Sequence, residues 1–553
     1  MDLLRAAASP VAAVILAVGA IVVSFLLRTW WPHKHAMLRM KRLGKPMPDW
    51  NPVLGSLLAA GKAFQGIPPG AHSCYMMHAL SKKFPNGAFY IDTWPMADPM
   101  LVVVDPDMAT QAVYHPRSGA RKPPMLQGWF YPITGGPSLF DSNGREWKTL
   151  HDIFLPGFSN SNISNEVPVI VDRIVIYRDI LRGKAKAGDL FPLEPLLLRL
   201  ITDIIGEILL NIKLDSQRQS HPLADTMVRQ LQLKFVSYKP ENILALVNPF
   251  LKHRARENSR ILDGNIKAQL EKRFEALKAE MDSGKEEGFK SVMDLAILDY
   301  LSQPGKRNAA TLDSDFLTMA TRNMRMFFFA GYDSSAGTVA YCYYAIFRDP
   351  DILARVRAEH DAVFGKDIDA TPGQIASNPA LLNSLPYTQA VIKETMRLFP
   401  MANGIRDGSP DLEIVDPEGN RYPTEGFAVL VSHYAVHRNP KYWRRAEEFL
   451  PERWLVEPGH ELYPPKGGWR AFEYGPRLCI GQPLVMTEVK AILACTVREF
   501  DIRVCYDEVD GGRQLDLSKV AGERAYMTEM GAAHPVGRLP CRVSLSGYVP
   551  GST

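Results

Sequence analysis

The chain has 553 residues, 46% apolar and 22% charged, the balance of an ordinary globular protein with a sizeable core. Its formal charge of +4 is the small difference between 64 basic and 60 acidic residues. No Lys/Arg run with interleaved aromatics appears, which argues against a nucleic-acid binder. The six cysteines (Cys74, Cys342, Cys479, Cys495, Cys505 and Cys541) are widely spaced and form no CxxC pair. They therefore exclude a disulfide framework or zinc cluster and fit a reducing compartment.

In chain order, the first signal is an uncharged run from Pro10 to Leu27, PVAAVILAVGAIVVSFLL. At about 1.5 Å per helical residue it is long enough to cross a bilayer's hydrocarbon core. Trp30 and Trp31 follow as interfacial aromatics would, and then Lys34, Arg39, Lys41, Arg42 and Lys45. Only Arg5 lies on the other side, so the basic bias places the rest of the chain in the cytosol. The run closes on Arg28 and Trp30, with no small-residue cleavage site, which favours a retained anchor over a cleaved leader. The expected organisation is an anchor over residues 1–30, a basic Pro-containing linker over 31–52 (Pro46, Pro48, Pro52) and one large domain over 53–553.

Beyond the linker, Phe89–Trp94 and Leu101–Asp105 read as strands of a small sheet. Most of the remainder reads as helix, so the predicted class is mainly α with a small β portion. Trp147 and His151 share one helical face at i and i+4. Ile266, Leu270, Phe274, Leu277 and Met281 form a core-facing stripe that stops at a polar segment containing Gly284. A long helix starting near Asp313 contains FFFAGYDSSAG, where Gly331, Asp333, Ser334 and Ser335 are poor helix-interior residues. Such local violations concentrate at functional sites, and the Ser334 hydroxyl can bond back to the carbonyl of Ala330.

Glu394 and Arg397 in KETMRLFP again share one face, and FLPERW follows with Arg453. Lys441, Arg444, Arg445, Lys466 and Arg470 form a basic cluster in sequence, a candidate docking face for an acidic partner. Then comes FEYGPRLCIG, Phe472 to Gly481, just ahead of an amphipathic helix. Gly475 and Gly481 let the backbone turn and approach a large flat ligand. A cysteine at a helix N-terminus is expected to have a lowered pKa, as a metal-binding thiolate requires.

FEYGPRLCIG resembles the FxxGxRxCxG haem-binding loop of the cytochrome P-450 superfamily at every fixed position. The Glu394–Arg397 helix resembles the family's ExxR helix, and FLPERW its PERF segment. AGYDSS resembles AGxDT[TS], with Ser334 where Thr is usual. GREWKTLH resembles WxxxR, with His151 where Arg is usual. These motifs stand in the family's order from Trp147 to Gly481, and general similarity is greatest to fungal enzymes of natural-product biosynthesis.

The resemblance implies a haem-thiolate monooxygenase with Cys479 as the iron ligand and haem b as the cofactor. It places Phe472 and Arg477 in the haem loop, makes Trp147, His151, Arg406 and Arg477 propionate contacts, and assigns proton relay during dioxygen cleavage to Asp333 and Ser334. Serine keeps the hydroxyl but loses the methyl that restrains it, and a histidine's charge changes near pH 6.5, unlike arginine's. Because no glycine-rich dinucleotide fingerprint is present, NADPH-derived electrons are expected from a flavoprotein reductase on the same endoplasmic reticulum membrane. The substrate is expected to be an apolar small molecule, hydroxylated, epoxidised or similarly oxidised in secondary metabolism, with Met401, Ala402, Asn403, Ile405, residues 123–137 and Phe327 to Ala330 lining its pocket. Two other readings carry the same cysteine loop: a haem-thiolate isomerase or dehydratase needing no external electrons, and a non-enzymatic haem or ligand-binding membrane protein.

Overall fold

A computed structural model describes residues 10–114, 120–236, 248–284, 290–511, 517–529 and 531–551. It is mainly helical with small sheets, as the patterning predicts. The chain divides into two compact units, each discontinuous in sequence.

The smaller unit gathers residues 1–66, 74–123 and 404–436. Its four-stranded sheet runs in the order Ala88–Ile91, Met100–Val103, Ala428–Val431, Gly404–Asp407, with the middle pair parallel and the outer pairs antiparallel. Both strands expected from sequence lie in it. A helix spans Pro10–Arg42, so the stretch read as a linker is helical up to Arg42. Met37 and Met40 on that helix are fully buried among Tyr90, Leu101, Val103 and Val429, and Lys34 makes a buried 2.5 Å ion pair with Asp92. This segment is anchored in a core by apolar packing and cannot act as a spacer. Residues 1–9 of the expected membrane anchor lie outside the described residues. Among the described residues, no helix is long and apolar enough to cross a membrane.

The larger unit comprises residues 67–73, 124–403 and 437–553. A helix from Ser314 to Phe347 runs through it, capped by the Asp313 carboxylate, which accepts the Phe316 N–H at 2.8 Å. It packs most extensively on the helix Glu194–Leu210. The glycines that looked like helix breakers serve this packing. A Cβ on Gly331 would come within 2.7 Å of Ile205, and one on Gly337 within 2.8 Å of the Ala533 carbonyl. The helix accepts roughly 1 kcal/mol per interior glycine in exchange for close approach on both sides. The stripe on the helix Pro249–Ser283 buries Ile266, Leu270, Phe274 and Leu277 as expected. Met281, in the last turn, is exposed instead.

Candidate functional site

The site is built in the larger unit from the cysteine loop, the long central helix and the helix Gly144–Phe154. The loop turns through two left-handed residues, Glu473 at φ 66° and Gly475 at φ 78°. It is closed by the Cys479 N–H donating to the Phe472 carbonyl at 2.9 Å. Gly481 has an ordinary φ of −82°, so its role is not the turn expected of it. A Cβ there would sit 3.8 Å from the Cys479 sulfur, in ordinary contact with it.

Cys479 is reachable by solvent, unlike the other five cysteines, which are buried. Protein nevertheless walls it closely enough that burial pushes the thiol pKa up, against the backbone N–H groups of Gly481 and Gln482, which pull it down. The expected depression is therefore corrected: desolvation outweighs the donors at the helix start. Cys479 is thus solvent-exposed yet closely surrounded by protein. That combination, with two backbone donors on the sulfur and a bare glycine beside it, fits a large planar metal cofactor ligated through sulfur.

The loop is held from behind by a saturated charge network. Arg397 donates to both Glu394 oxygens, at 2.9 and 2.8 Å, and Arg453 to Oε1 at 3.1 Å. Leu450 N–H and Trp454 Nε1 also donate to this carboxylate. The remaining guanidinium donors reach the carbonyls of His437, Ala446 and Glu448 from Arg397, and those of Arg444 and Arg445 from Arg453. All three charged side chains are fully buried. His437, which no sequence motif singled out, links this network to the loop. Its Nδ1 pairs with the Arg397 carbonyl at 3.0 Å and its Nε2 accepts the Arg470 N–H at 2.8 Å. Those two partners require the neutral tautomer protonated on Nδ1.

Trp147, His151 and Arg477 are brought together as the spacing and resemblance implied. The Arg477 guanidinium stacks 4.3 Å from the Trp147 ring centre and donates to Ser142 O and Asn143 Oδ1. The His151 ring lies 5.1 Å from that of Trp147. Indole, imidazole and guanidinium donors in one cluster suit a carboxylate such as a haem propionate. Arg406 belongs to the smaller unit, where it is buried on the strand Gly404–Asp407 and donates to the Ile405 carbonyl at 2.8 Å.

On the central helix the Ser334 hydroxyl donates to the Ala330 carbonyl at 2.8 Å, as its sequence position predicted. Ala330 is exposed and Ser334 half-buried in a stretch whose flanks, residues 323–328 and 335–346, are buried, so this i, i+4 face is open to solvent. Asp333 is buried and turns to the segment Ala532–His534: its Oδ2 accepts the Ala532 N–H at 2.5 Å and Oδ1 lies 3.0 Å from His534 Nε2. Two other expectations are corrected. Phe327 packs in the core against Phe154 and Phe158 at 5.0 and 5.1 Å, and Phe328 is buried, so neither lines a pocket. Arg470 is buried against Gly467 O and Glu473, which removes it from the proposed basic face. Arg444 and Arg445 stay exposed beside Glu461 and Glu448.

Compared with known proteins, residues 46–515 match the Cytochrome P450 family model. The chain is a cytochrome P450. It is 36% identical over 534 residues to the cytochrome P450 monooxygenase polC of Polytolypa hystricis, covering 95% of this chain and 94% of that one. It is 31% identical over 505 residues to the monooxygenase acrF of Aspergillus aculeatus, covering 86% and 98% respectively. A third fungal P450 monooxygenase, ptmG of Penicillium ochrochloron, is 26% identical over 504 residues, covering 90% and 89%. This P450 is thus a haem-thiolate monooxygenase, working with haem iron, dioxygen, a redox partner and a small-molecule substrate.

Proposed function

We propose that this P450 binds haem b through Cys479 and oxidises an apolar small molecule, by hydroxylation, epoxidation or a related insertion, in a fungal secondary-metabolite pathway. The observation that carries the reading is the solvent-exposed Cys479 in a loop that precedes a helix, with the buried Glu394–Arg397–Arg453 network nearby in the same unit. When bound, the haem supplies the redox chemistry of dioxygen activation. The protein's own residues do the rest. Phe472 closes the loop behind the sulfur, while Trp147, His151 and Arg477 hold a propionate, a role that the family resemblance extends to Arg406. The Ser334 hydroxyl, on a face open to solvent, passes protons, and Asp333 beside it in sequence is the acid that supplies them.

The reading includes an NADPH-dependent flavoprotein reductase as electron donor. It also includes a single-pass anchor in the endoplasmic reticulum membrane with the catalytic part in the cytosol, supported by the uncharged run Pro10–Leu27 and the basic residues after it.

The test is the carbon monoxide difference spectrum of the reduced, detergent-solubilised protein, followed by reconstitution with reductase. A Soret band far to the red of the histidine-ligated position, lost in Cys479→Ser together with all product, is the expected outcome. Product formed without NADPH would turn the reading to an isomerase or dehydratase. Normal product from Cys479→Ser would overturn the assignment.

A further inference from the structure

Asp333 ends a chain of ionisable groups that haem binding does not require. Beyond its 3.0 Å contact with Asp333, the His534 ring meets Glu194 Oε1 through Nδ1, and Glu194 Oε2 accepts from Arg538 at 3.0 Å. The four groups come from the central helix, the start of the helix Glu194–Leu210, the strand Ala533–Pro535 and the turn that follows it. His534 and Glu194 are 1% and 0% exposed, whereas the Arg538 side chain is 31% exposed. The chain thus leads from a buried acid towards the surface.

A neutral imidazole between two carboxylates would present a lone pair to one of them, an unsatisfied and repulsive arrangement in a buried place. The protonated ring donates to Glu194 through Nδ1 and sets its charged Nε2 3.0 Å from Asp333 Oδ1 as an ion pair. Burial opposes that charge, but Asp333 and the bonds to Asp333 and Glu194 outweigh it and push the His534 pKa up to about 10. The other titratable groups facing the cluster leave it balanced. His72 is held down by burial, with Glu529 raising it and the His534 charge lowering it further, and burial foremost raises the Tyr332 hydroxyl. Two cations, His534 and Arg538, then match two anions, Asp333 and Glu194.

We infer that His534, gripped by Glu194, is the positioning residue that orients Asp333 for proton delivery and so sets how much oxygen activation ends in product. The inference rests on the reading of Asp333 as the proton-relay acid. The ion pair and the Ala532 N–H occupy one oxygen each, which fixes the rotation of the carboxylate beside Ser334 on the helix. Without the imidazolium a buried carboxylate would lose its counter-charge and turn to find another donor.

The test uses the reconstituted holoenzyme and compares product and peroxide formed per NADPH in the wild type, Asp333→Asn, His534→Gln, His534→Lys, Glu194→Gln and the double variant Asp333→Asn/His534→Gln. His534→Gln is expected to lower product per NADPH at least tenfold with KM unchanged, Glu194→Gln to lower it less, and His534→Lys, which keeps a cation, to recover part of it. The double variant should be no worse than Asp333→Asn, since His534 acts through that residue. A second readout is independent of turnover: histidine 15N NMR of the reduced, carbon monoxide-bound protein at pH 8. It should show an imidazolium signal absent from His534→Gln and titrating at lower pH in Glu194→Gln, and it carries the test should His534→Gln not fold. Full coupling in Asp333→Asn would sink the relay reading itself. Uncoupling in Asp333→Asn with normal coupling in both His534→Gln and Glu194→Gln would overturn the positioning role alone, as would an additive double variant or a neutral His534 signal at pH 8.

Discussion

Two of the places where the larger unit buries charge are built differently. Around Glu394 the two arginines find carboxylate or carbonyl acceptors and the carboxylate collects four donor groups, so the cluster has one satisfactory geometry. Around Asp333 the acid has one backbone donor and one imidazole, and among the described residues the neighbouring hydroxyl of Ser334 bonds only within its own helix turn, on a face open to solvent. A saturated network holds a loop still; a sparsely held acid next to an accessible hydroxyl can change partners and move protons.

The largest expected effect separates these two roles. Glu394→Gln strands Arg397 and Arg453 without their anion, and breaking one partner of such a buried network costs about 3–5 kcal/mol. The expected outcome is a large drop in thermal stability together with loss of the thiolate-type carbon monoxide band. Asp333→Asn should instead keep the thiolate-type band and lose less stability, since only the His534 ion pair is weakened, while turnover falls by about a hundredfold on the usual scale of proton-transfer catalysis. If Asp333→Asn destabilised the protein as much as Glu394→Gln, the division into a holding and a working cluster would be wrong.

Ser334→Ala comes next. Among the described residues its hydroxyl bonds only to the Ala330 carbonyl, so folding should not change. Product per NADPH should fall about tenfold, a smaller loss than the roughly hundredfold or more of a full proton-transfer group, with the missing equivalents recovered as hydrogen peroxide. Replacement by threonine, which restores the methyl restraint, should match or exceed the wild-type coupling. An unchanged ratio in Ser334→Ala would remove the hydroxyl from proton delivery.

What could be read from the sequence follows the range of the interactions. The Glu394–Arg397 pair is an i, i+3 contact, the Ser334–Ala330 bond an i, i+4 one, and the cysteine loop a contiguous run, so each carries a local spacing signature. The strands near Phe89 and Leu101 and the mainly helical class were legible for the same reason. The partners of Asp333 were not, because Ala532 lies 199 positions away and His534 meets Glu194 across 340. His437 carries no local signature, because its bonds to Arg397 and Arg470 are to backbone atoms, which no side-chain pattern marks. The Cys479 thiol shifts opposite to the sequence expectation, since the helix-end donors are visible in the sequence and the surrounding protein is not. Arg470 looked like surface charge for a similar reason, its neighbours Gly467 and Glu473 folding over it.

A third buried carboxyl extends the comparison to a site with no cation. Burial, with a smaller push from the Asp294 charge, raises the Glu166 pKa to about 9, against a single bond from Asn162. The folded state keeps this proton after the unfolded chain has released it near pH 4.5, so folding stability falls as pH rises from there towards 9. His534 adds to the same slope: its folded pKa of about 10 gives stabilisation that is complete below pH 6.5 and gone above 10. Glu166→Gln removes the first contribution, where each pH unit costs up to about 1.4 kcal/mol. The variant should therefore match the wild type near pH 4.5 and melt several degrees higher at pH 8. A melting-temperature difference independent of pH would show that Glu166 is ionised in the folded protein.

The smallest effect concerns His151, where the family usually has arginine. Its ring already lies beside Trp147, and its Nδ1 is 3.5 Å from the half-exposed Asp152, which Lys148 also engages at 2.5 Å. His151→Arg would place a permanent cation in a cluster that Arg477 already serves, in a solvated setting where a charge pair contributes about 0–1 kcal/mol. Haem dissociation, followed by transfer to an apoprotein acceptor, should slow by no more than a few-fold, and Arg477→Gln should speed it by more. If His151→Arg released haem faster, the histidine would be acting as an aromatic packed on Trp147, and the cluster's hold on a carboxylate would rest on Trp147 and Arg477 alone.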